Sequence, residues 1–170
     1  TAGVLDIDVG AQSVDFLACS FHKGLLGPTG LGACILHPDQ AVPPLIRGGT
    51  GSSSESTAHP DFRPDTYEAG TQNLHGIAGA LGGLDHLQAE GVSGKKKQSL
   101  TKRLLDRVSD HPRIRVQSPL DGTALLASIR IEGLDPGEAA RRLETEFGIL
   151  CRPGLHCAPL IHEHMGTTPR

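Results

Sequence analysis

Short apolar runs, separated by segments rich in glycine and proline, occur in both halves of the chain. Residues 14–20 and 30–36 each carry an apolar run of strand length, and the segment between them contains several glycines. Residues 114–116 and 124–131 also predict strands, the second because polar and apolar side chains alternate along part of it. The run at residues 149–151 predicts a last strand.

Two segments near the middle of the chain show the spacing of apolar side chains that is typical of helices. Residues 74–90 carry an apolar residue every three or four positions and are followed by Gly91, a common residue after a last helical turn. Residues 95–108 predict a second helix, with its lysines in solvent. The side chains expected on its inward face are Leu100, Leu104, Leu105 and Val108.

A third helix is predicted from its capping residues. Asp135 suits the N-cap, Pro136 the first turn and Glu138 the third position, so the helix should run to Phe147. The second half therefore follows the order β-β-α-β, and the fold class is α/β.

Residues 46–65 are rich in glycine, serine and proline, a composition that predicts an extended surface loop. Its Arg-Gly-Gly-Thr-Gly-Ser run, residues 47–52, lacks the Gly-Lys-Ser/Thr ending of a phosphate-binding P-loop. The run therefore does not predict nucleotide binding.

Composition excludes several classes of protein. With 16 Lys and Arg against 19 Asp and Glu, the formal charge of −3 does not favour a nucleic-acid partner. No apolar run reaches the roughly 20 residues that cross a membrane, and the N-terminus lacks a secretory pattern. Four scattered cysteines do not form a disulfide framework, so reduced thiols and a cytoplasmic location are expected.

Lys23 follows the first apolar run and precedes a glycine-rich turn. It could simply be an exposed, solubilising lysine. A lysine walled in by apolar and small residues instead loses its proton more readily and becomes a nucleophile toward an aldehyde, such as that of pyridoxal phosphate. Ser20 and His22 can donate hydrogen bonds to a phosphate group. These residues alone leave both interpretations open.

Cys157 lies in a predicted loop, beside His156 and five residues after Arg152. Nearby positive charge makes the reactive thiolate form of a cysteine more available. A buried, inert cysteine is an equal alternative on the local sequence. The other three cysteines fall in predicted strands and are expected to be core residues: Cys19, Cys34 and Cys151.

Three segments in order resemble those of one enzyme family. The run D-F-L-A-C-S-F-H-K-G-L-L-G-P-T-G-L-G around Lys23 resembles the cofactor-lysine segment of class V aminotransferases. The run E-A-G-T-Q-N around Thr71 resembles the family's E-x-G-T-x-N segment. The run R-P-G-L-H-C-A-P-L around Cys157 resembles the sulfur-accepting loop of cysteine desulfurases, which belong to the same family. Together the segments span nearly the whole chain.

The resemblance implies a fold-type I enzyme with pyridoxal 5′-phosphate as cofactor. Lys23 would hold the cofactor as a Schiff base, while Ser20 and His22 bind its phosphate. Thr71 would reach the phosphate in the neighbouring subunit of a homodimer. No metal ion, nucleic acid or membrane is implied as a partner.

The resemblance also implies a reaction, the conversion of L-cysteine to L-alanine. Lys23 would move the α-proton, and Cys157 would take the substrate sulfur as a persulfide. Arg152 would orient the substrate or stabilise the thiolate. A sulfur-acceptor protein is a further expected partner.

The same resemblance divides the chain and predicts that it is incomplete. Residues 1–90 would be the end of the large cofactor-binding domain, and residues 91–170 most of the small C-terminal α/β domain. The family's aspartate for the pyridine nitrogen and its stacking histidine are expected before residue 1. Arg170 lies too early to be the family arginine that binds substrate carboxylate. These 170 residues are therefore expected to be inactive alone.

Other functions remain alternatives. A transaminase, a selenocysteine lyase or an epimerase of the family would share Lys23 without depending on Cys157. A zinc-binding module could use Cys151, Cys157, His162 and His164, although the spacing of its cysteines is unlike the usual short pairs. A noncatalytic interaction module is the third alternative.

Overall fold

A computed structural model describes residues 2–168 of the chain. Thr1, Pro169 and Arg170 lie outside the described residues, and so does the expectation about Arg170. A single 3₁₀ turn covers Asp65–Tyr67. The helices and strands are, in order, β1 (Phe16–Ser20), β2 (Gly32–Leu36), α1 (Leu74–Glu90), α2 (Gly94–Val108), β3 (Ile114–Val116), β4 (Ile129–Ile131), α3 (Pro136–Phe147) and α4 (Pro159–His164).

The described residues form two compact units, one ending at Gly94 and the other beginning at Lys95. In the first unit, β1 and β2 form an antiparallel hairpin that pairs Phe16 with Leu36 and Ser20 with Gly32. The amide of Phe21 donates to the carbonyl of Leu31 at 3.1 Å, so the ladder continues past the last strand residue. Both strands predicted for this region are confirmed, with shorter bounds.

Helix α1 has the predicted bounds, but its buried face is made of small residues. The Asn73 side chain accepts a hydrogen bond from the amide of Gly76, and Gly91 follows the last turn. The buried positions are Gly76, Ala80 and Gly83. The leucines and isoleucine that marked the helix in the sequence are mostly exposed: Leu74, Ile77, Leu81 and Leu84. Backbone of residues 25–27 lies directly against Ala80 and Gly83, whereas the Asn73 side chain covers Gly76.

Helix α2 buries a narrower face than the sequence predicted. Thr101 and Leu105 are buried, whereas Leu100 and Leu104 are 54% and 47% exposed. The prediction that those two leucines face inward is wrong. Thr101 and Leu105 are four residues apart and share one face of the helix, and Leu100 and Leu104 lie on the adjacent one.

In the second unit, β3 and β4 form a short antiparallel pair in which Arg115 lies opposite Arg130. The predicted strand over residues 124–131 is wrong for its first five residues. There the Ser118 hydroxyl donates to the carbonyl of Leu126 and accepts from the amide of Ser128. The carbonyl of Leu126 and the amide of Ser128 are thus bonded to the Ser118 side chain and not to a neighbouring strand, so β4 begins only at Ile129.

Helix α3 begins and ends as predicted. The Asp135 carboxylate accepts from the amides of Gly137 and Glu138, and Gly148 closes the helix with φ +64°. The amide of Ile149 donates to the carbonyl of Leu143, which completes a Schellman-type cap. The strand predicted at residues 149–151 does not form, since the amide of Ile149 is committed to this cap and no described strand pairs with the segment.

Candidate functional site

Lys23 lies in a tight turn that the β1–β2 hairpin holds in place. Ser20 is the last residue of β1. After it, the amide of Leu26 donates to the carbonyl of Lys23 at 3.0 Å, and the amide of Gly27 donates to that of Phe21 at 2.8 Å. These two bonds fold residues 21–27 back on themselves. The turn therefore fixes the backbone of Lys23 three residues after the end of β1.

Glycines let neighbouring backbone support this turn. A β-carbon at Gly83 of α1 would lie 2.6 Å from the carbonyl oxygen of Leu25, so only glycine lets the helix reach the turn. A β-carbon at Gly24 would collide with the carbonyl oxygen of Ala2 and with the Val4 side chain. The turn is therefore packed between helix α1 and the first residues of the chain.

A cavity of about 200 Å³ opens beside the turn. It is lined by Lys23 and Ser20 and otherwise by small or apolar residues: Ala2, Ile7, Leu17, Ala18 and Cys19. The structure thus brings together two of the predicted cofactor ligands. His22 is exposed and is not part of the wall.

Thr71 lies apart from this cavity, in the segment that leads into α1. It is exposed, and it makes no hydrogen bond to any residue between 2 and 168. The residue before it is anchored, because the amide of Gly70 donates to the carbonyl of Gly49 at 2.7 Å. Thr71 is therefore accessible to another molecule.

In the second unit, Cys157 stands at the tip of a β-turn. The amide of Ala158 donates to the carbonyl of Leu155 at 2.9 Å, and the two central residues, His156 and Cys157, have φ of +53° and +62°. Positive φ at both central positions is the pattern of a type I′ turn, which normally contains Asn or Gly. Histidine and cysteine are strained there, and Cys157 is exposed.

Arg152 reaches this thiol. Its Nη2 lies 3.7 Å from Sγ of Cys157, within hydrogen-bonding distance for sulfur. Both side chains are exposed. The guanidinium stays charged at any ordinary pH, so it can donate to the sulfur and attract it when it is negative.

The other cysteines do not lie where the sequence predicted. All four thiols are free, as expected. Cys34 and Cys151 are exposed and Cys19 is only half-buried, so their prediction as core residues is wrong. Cys151 follows the capped end of α3 in irregular chain, and Cys34 lies in β2, where a two-stranded hairpin covers little of its own surface.

For the zinc alternative, residues 2–168 contain no group of three or more His, Cys, Asp or Glu side chains placed to hold a metal ion. Two of its four candidate ligands have other contacts. Nδ1 of His162 lies 2.9 Å from the hydroxyl of Thr167, and Cys157 contacts Arg152.

Ion pairs and hydrogen bonds in the second unit shift several pKa values at the surface. Hydrogen bonds from Arg141 lower the pKa of Glu138, and the same contact raises the pKa of Arg141. Hydrogen bonds from the hydroxyl and amide of Thr123 lower the pKa of Asp121. These groups are exposed, so such pairs contribute little to stability.

Comparison with known proteins assigns the chain to a family. The pattern described as Aminotransferase class-V matches residues 1–168. This chain belongs to the class V aminotransferase family.

Curated and solved class V proteins resemble it over nearly its whole length. A probable cysteine desulfurase of Pyrococcus abyssi (strain GE5 / Orsay) is 35% identical over 166 residues, which cover 93% of this chain and 41% of the relative. The apo cysteine desulfurase of Thermococcus onnurineus NA1 is 31% identical with a TM-score of 0.80, over 99% of this chain and 44% of that one. The cysteine desulfurase CsdA of Escherichia coli, in an S-sulfonic acid form, is 26% identical with a TM-score of 0.83, over 98% and 42%.

These matches confirm the predicted fold class for this class V chain. It is α/β and corresponds to part of the fold-type I architecture of pyridoxal-phosphate-dependent transferases. The chain spans about two fifths of the length of the curated relatives it matches. Among the described residues, none of the helices is long and apolar enough to cross a membrane.

Not every residue that shapes the site was predicted from the sequence of this class V chain. Gly83 of α1 supports the Lys23 turn, but it was not among the predicted site residues. Gly76, Ala80 and Gly83 recur at spacings of four and three, which is itself the signal of a helix face built for close packing. That face was recognisable in the sequence and was missed.

Proposed function

We propose that this chain is the C-terminal part of a pyridoxal-phosphate-dependent cysteine desulfurase, which converts L-cysteine to L-alanine and leaves the sulfur on Cys157. The observation that carries the proposal is the exposed Cys157 thiol at the tip of a strained turn, with the Arg152 guanidinium 3.7 Å from its sulfur. An inert structural cysteine needs neither exposure nor a cationic neighbour.

The cavity at Lys23 suits pyridoxal 5′-phosphate. An amine and a hydroxyl share a cavity with small and apolar walls, which matches an aldehyde, a phosphate and an aromatic ring. Lys23 would bind the cofactor covalently through Nζ, and Ser20 and His22 would donate hydrogen bonds to its phosphate. Thr71 would reach the phosphate of the neighbouring subunit in a homodimer. When bound, the cofactor supplies an electron sink that weakens the bonds at the α-carbon of an amino acid.

Two side chains would then act on the substrate. Nζ of Lys23 takes and returns the α-proton as a general base and acid. The Cys157 thiolate attacks the substrate sulfur, so that an S–S bond forms while the substrate C–S bond breaks. The electron pair of the broken bond stays with the substrate, which takes up a proton and leaves as alanine. Arg152 would hold the attacking sulfur in its charged form or orient the substrate.

Domains, partners and location complete the proposal. Residues 1–90 would be the end of a large domain and residues 91–170 a small α/β domain, close to the boundary between the two compact units at Gly94. A persulfide on an exposed cysteine suits transfer to an acceptor protein. We place the enzyme in the cytoplasm, and we expect the 170 residues to have no desulfurase activity by themselves.

The test compares Cys157→Ala with Cys151→Ala in the complete enzyme. Cys151 is the matched control, because it is also exposed and lies six residues away. Cys157→Ala should abolish alanine and sulfide production from L-cysteine, and mass spectrometry of the parent enzyme should find the persulfide on Cys157. Cys151→Ala should keep both.

Unchanged sulfur release from Cys157→Ala would remove the assignment of a desulfurase that uses Cys157. A parent enzyme that releases no sulfur from L-cysteine would instead leave a transaminase or a selenocysteine lyase. Borohydride reduction followed by peptide mapping tests the cofactor separately. A label on any residue other than Lys23 would contradict the whole proposal.

A further inference from the structure

The long segment between β2 and α1 has little regular structure, yet side chains tie its end to its beginning. Between residues 37 and 73 it contains one 3₁₀ turn, Asp65–Tyr67, and no helix or strand. A segment of this length needs specific contacts to hold one conformation, because each ordered residue loses conformational entropy.

Arg63 makes most of these contacts. Its Nη1 donates to the carbonyls of His37 and Pro38, each at 3.4 Å, and its Nη2 donates to the carbonyl of Gln40. The guanidinium carbon also lies 6.0 Å from the centre of the Tyr67 ring. One side chain thus gathers three carbonyls from more than twenty residues earlier in the chain. A planar group with several fixed donors can do this, and a lysine amine cannot reproduce the geometry.

Two further bonds continue the same arrangement. The Tyr67 hydroxyl donates to the carbonyl of Val42 at 2.7 Å. Nε2 of His59 lies 3.0 Å from the carbonyl oxygen of Thr66, a buried residue of the 3₁₀ turn. The 3₁₀ turn is therefore held from both sides immediately before the E-A-G-T-Q-N segment.

Thr71 follows four residues after Tyr67 and makes no bond of its own among residues 2–168. Its position depends on the residues before it, namely the anchored Tyr67 and the Gly70 amide that donates to Gly49. If these anchors loosen, the Thr71 hydroxyl loses its defined position, although nothing in contact with Thr71 has changed.

We infer that Arg63 is a positioning residue that holds the 3₁₀ turn and the segment after it, and thereby places Thr71 to bind the cofactor phosphate. This inference rests on the proposed function, in which Thr71 contacts pyridoxal phosphate. Arg63 itself touches neither substrate nor cofactor and acts through the chain.

A double-mutant cycle in the complete dimeric enzyme tests the inference. The variants are Arg63→Met, Thr71→Ala, both together, and Arg63→Lys. The control is Arg103→Met, which removes an exposed arginine of α2 that has no hydrogen bond among the described residues. The readouts are the dissociation constant of pyridoxal 5′-phosphate and the rate of protease cleavage within residues 41–58.

Thr71→Ala should weaken cofactor binding about tenfold, the effect of losing a hydrogen bond to a charged group. Arg63→Met should weaken it to a similar extent and speed cleavage of the loop, with Arg63→Lys intermediate. The double variant should bind the cofactor no more weakly than the weaker single variant, because both changes remove one interaction. Arg103→Met should match the parent in both readouts.

Losses that multiply in the double variant would overturn the inference, and so would unchanged cofactor affinity in Arg63→Met. If Thr71→Ala alone leaves the affinity unchanged, the phosphate role of Thr71 fails, whereas the Lys23 and Cys157 assignments are tested separately. If Arg63→Met does not form a dimer, Tyr67→Phe replaces it in the double-mutant cycle, because this change removes only the hydrogen bond to the carbonyl of Val42.

Discussion

The turns at Lys23 and at Cys157 carry the two reactive side chains of the proposed enzyme, but they are supported very differently. The Lys23 turn follows a strand, is closed by two backbone hydrogen bonds and rests on the small-residue face of α1. The Cys157 turn is closed by one bond, lies between helices and is exposed. A residue that anchors a cofactor needs a fixed position. A nucleophile that takes sulfur from one molecule and gives it to another needs access.

The largest predicted effect distinguishes the step that uses Lys23, transfer of the α-proton, from the step that uses Cys157, removal of sulfur. Lys23→Ala should lower both sulfur release from L-cysteine and exchange of the α-proton of L-alanine in D₂O by about 10²–10⁴-fold, the usual contribution of a general acid or base. Cys157→Ala should abolish sulfur release and leave the exchange unchanged, because that step does not use the thiol. Proton exchange followed by NMR measures the difference.

Lys97→Ala is the control for the loss of a lysine, since Lys97 is an exposed residue of α2. If Cys157→Ala slowed proton exchange as strongly as Lys23→Ala, the two turns would not have separate tasks, and the comparison would fail.

A smaller effect concerns the charge beside Cys157. Arg152→Met should slow alkylation of Cys157 by iodoacetamide at neutral pH about fivefold at low salt. Two opposite unit charges about 4 Å apart in water attract each other by about 1 kcal/mol, which corresponds to that factor. The difference should shrink in high salt, because exposed charges are screened. Peptide mapping identifies which cysteine carries the label.

Arg130→Met is the matched control, because Arg130 is an exposed arginine of the same unit without an ion pair among the described residues. Alkylation as fast as in the parent, together with a raised KM for cysteine, would reassign Arg152 from the thiolate to the substrate.

Local signals in the sequence were sufficient for the bounds of α1 and α3. The bounds of α1 and α3 follow from Gly91, Asp135, Pro136 and Gly148, which act within one turn of the helix they cap. Lys23 and Cys157 were proposed instead from the resemblance of three segments to one family, because the residues around each one left other interpretations open.

Features that depend on distant parts of the chain could not be predicted from such signals. The run at residues 149–151 has strand composition, but a strand also needs a neighbour, and none of the described strands pairs with it. The exposure of Cys34 likewise depends on what covers β2. Arg63 bonds to carbonyls more than twenty residues away, and no spacing in the sequence indicates that contact.

The smallest predicted effect tests whether the Cys157 turn is strained. At His156, where φ is +53°, glycine should be more favourable than alanine, because a left-handed conformation costs an L-residue more than the entropy that glycine loses. Hydrogen exchange at the amide of Ala158, which closes the turn, should be about two- to fivefold slower in His156→Gly than in His156→Ala. Glu144 in α3 gives a control with the opposite sign. Glycine in a helix is less favourable than alanine, so hydrogen exchange at the end of α3 should be faster in Glu144→Gly than in Glu144→Ala. If glycine sped exchange at both positions, the Cys157 turn would not be strained, and its accessibility would have to come from exposure alone.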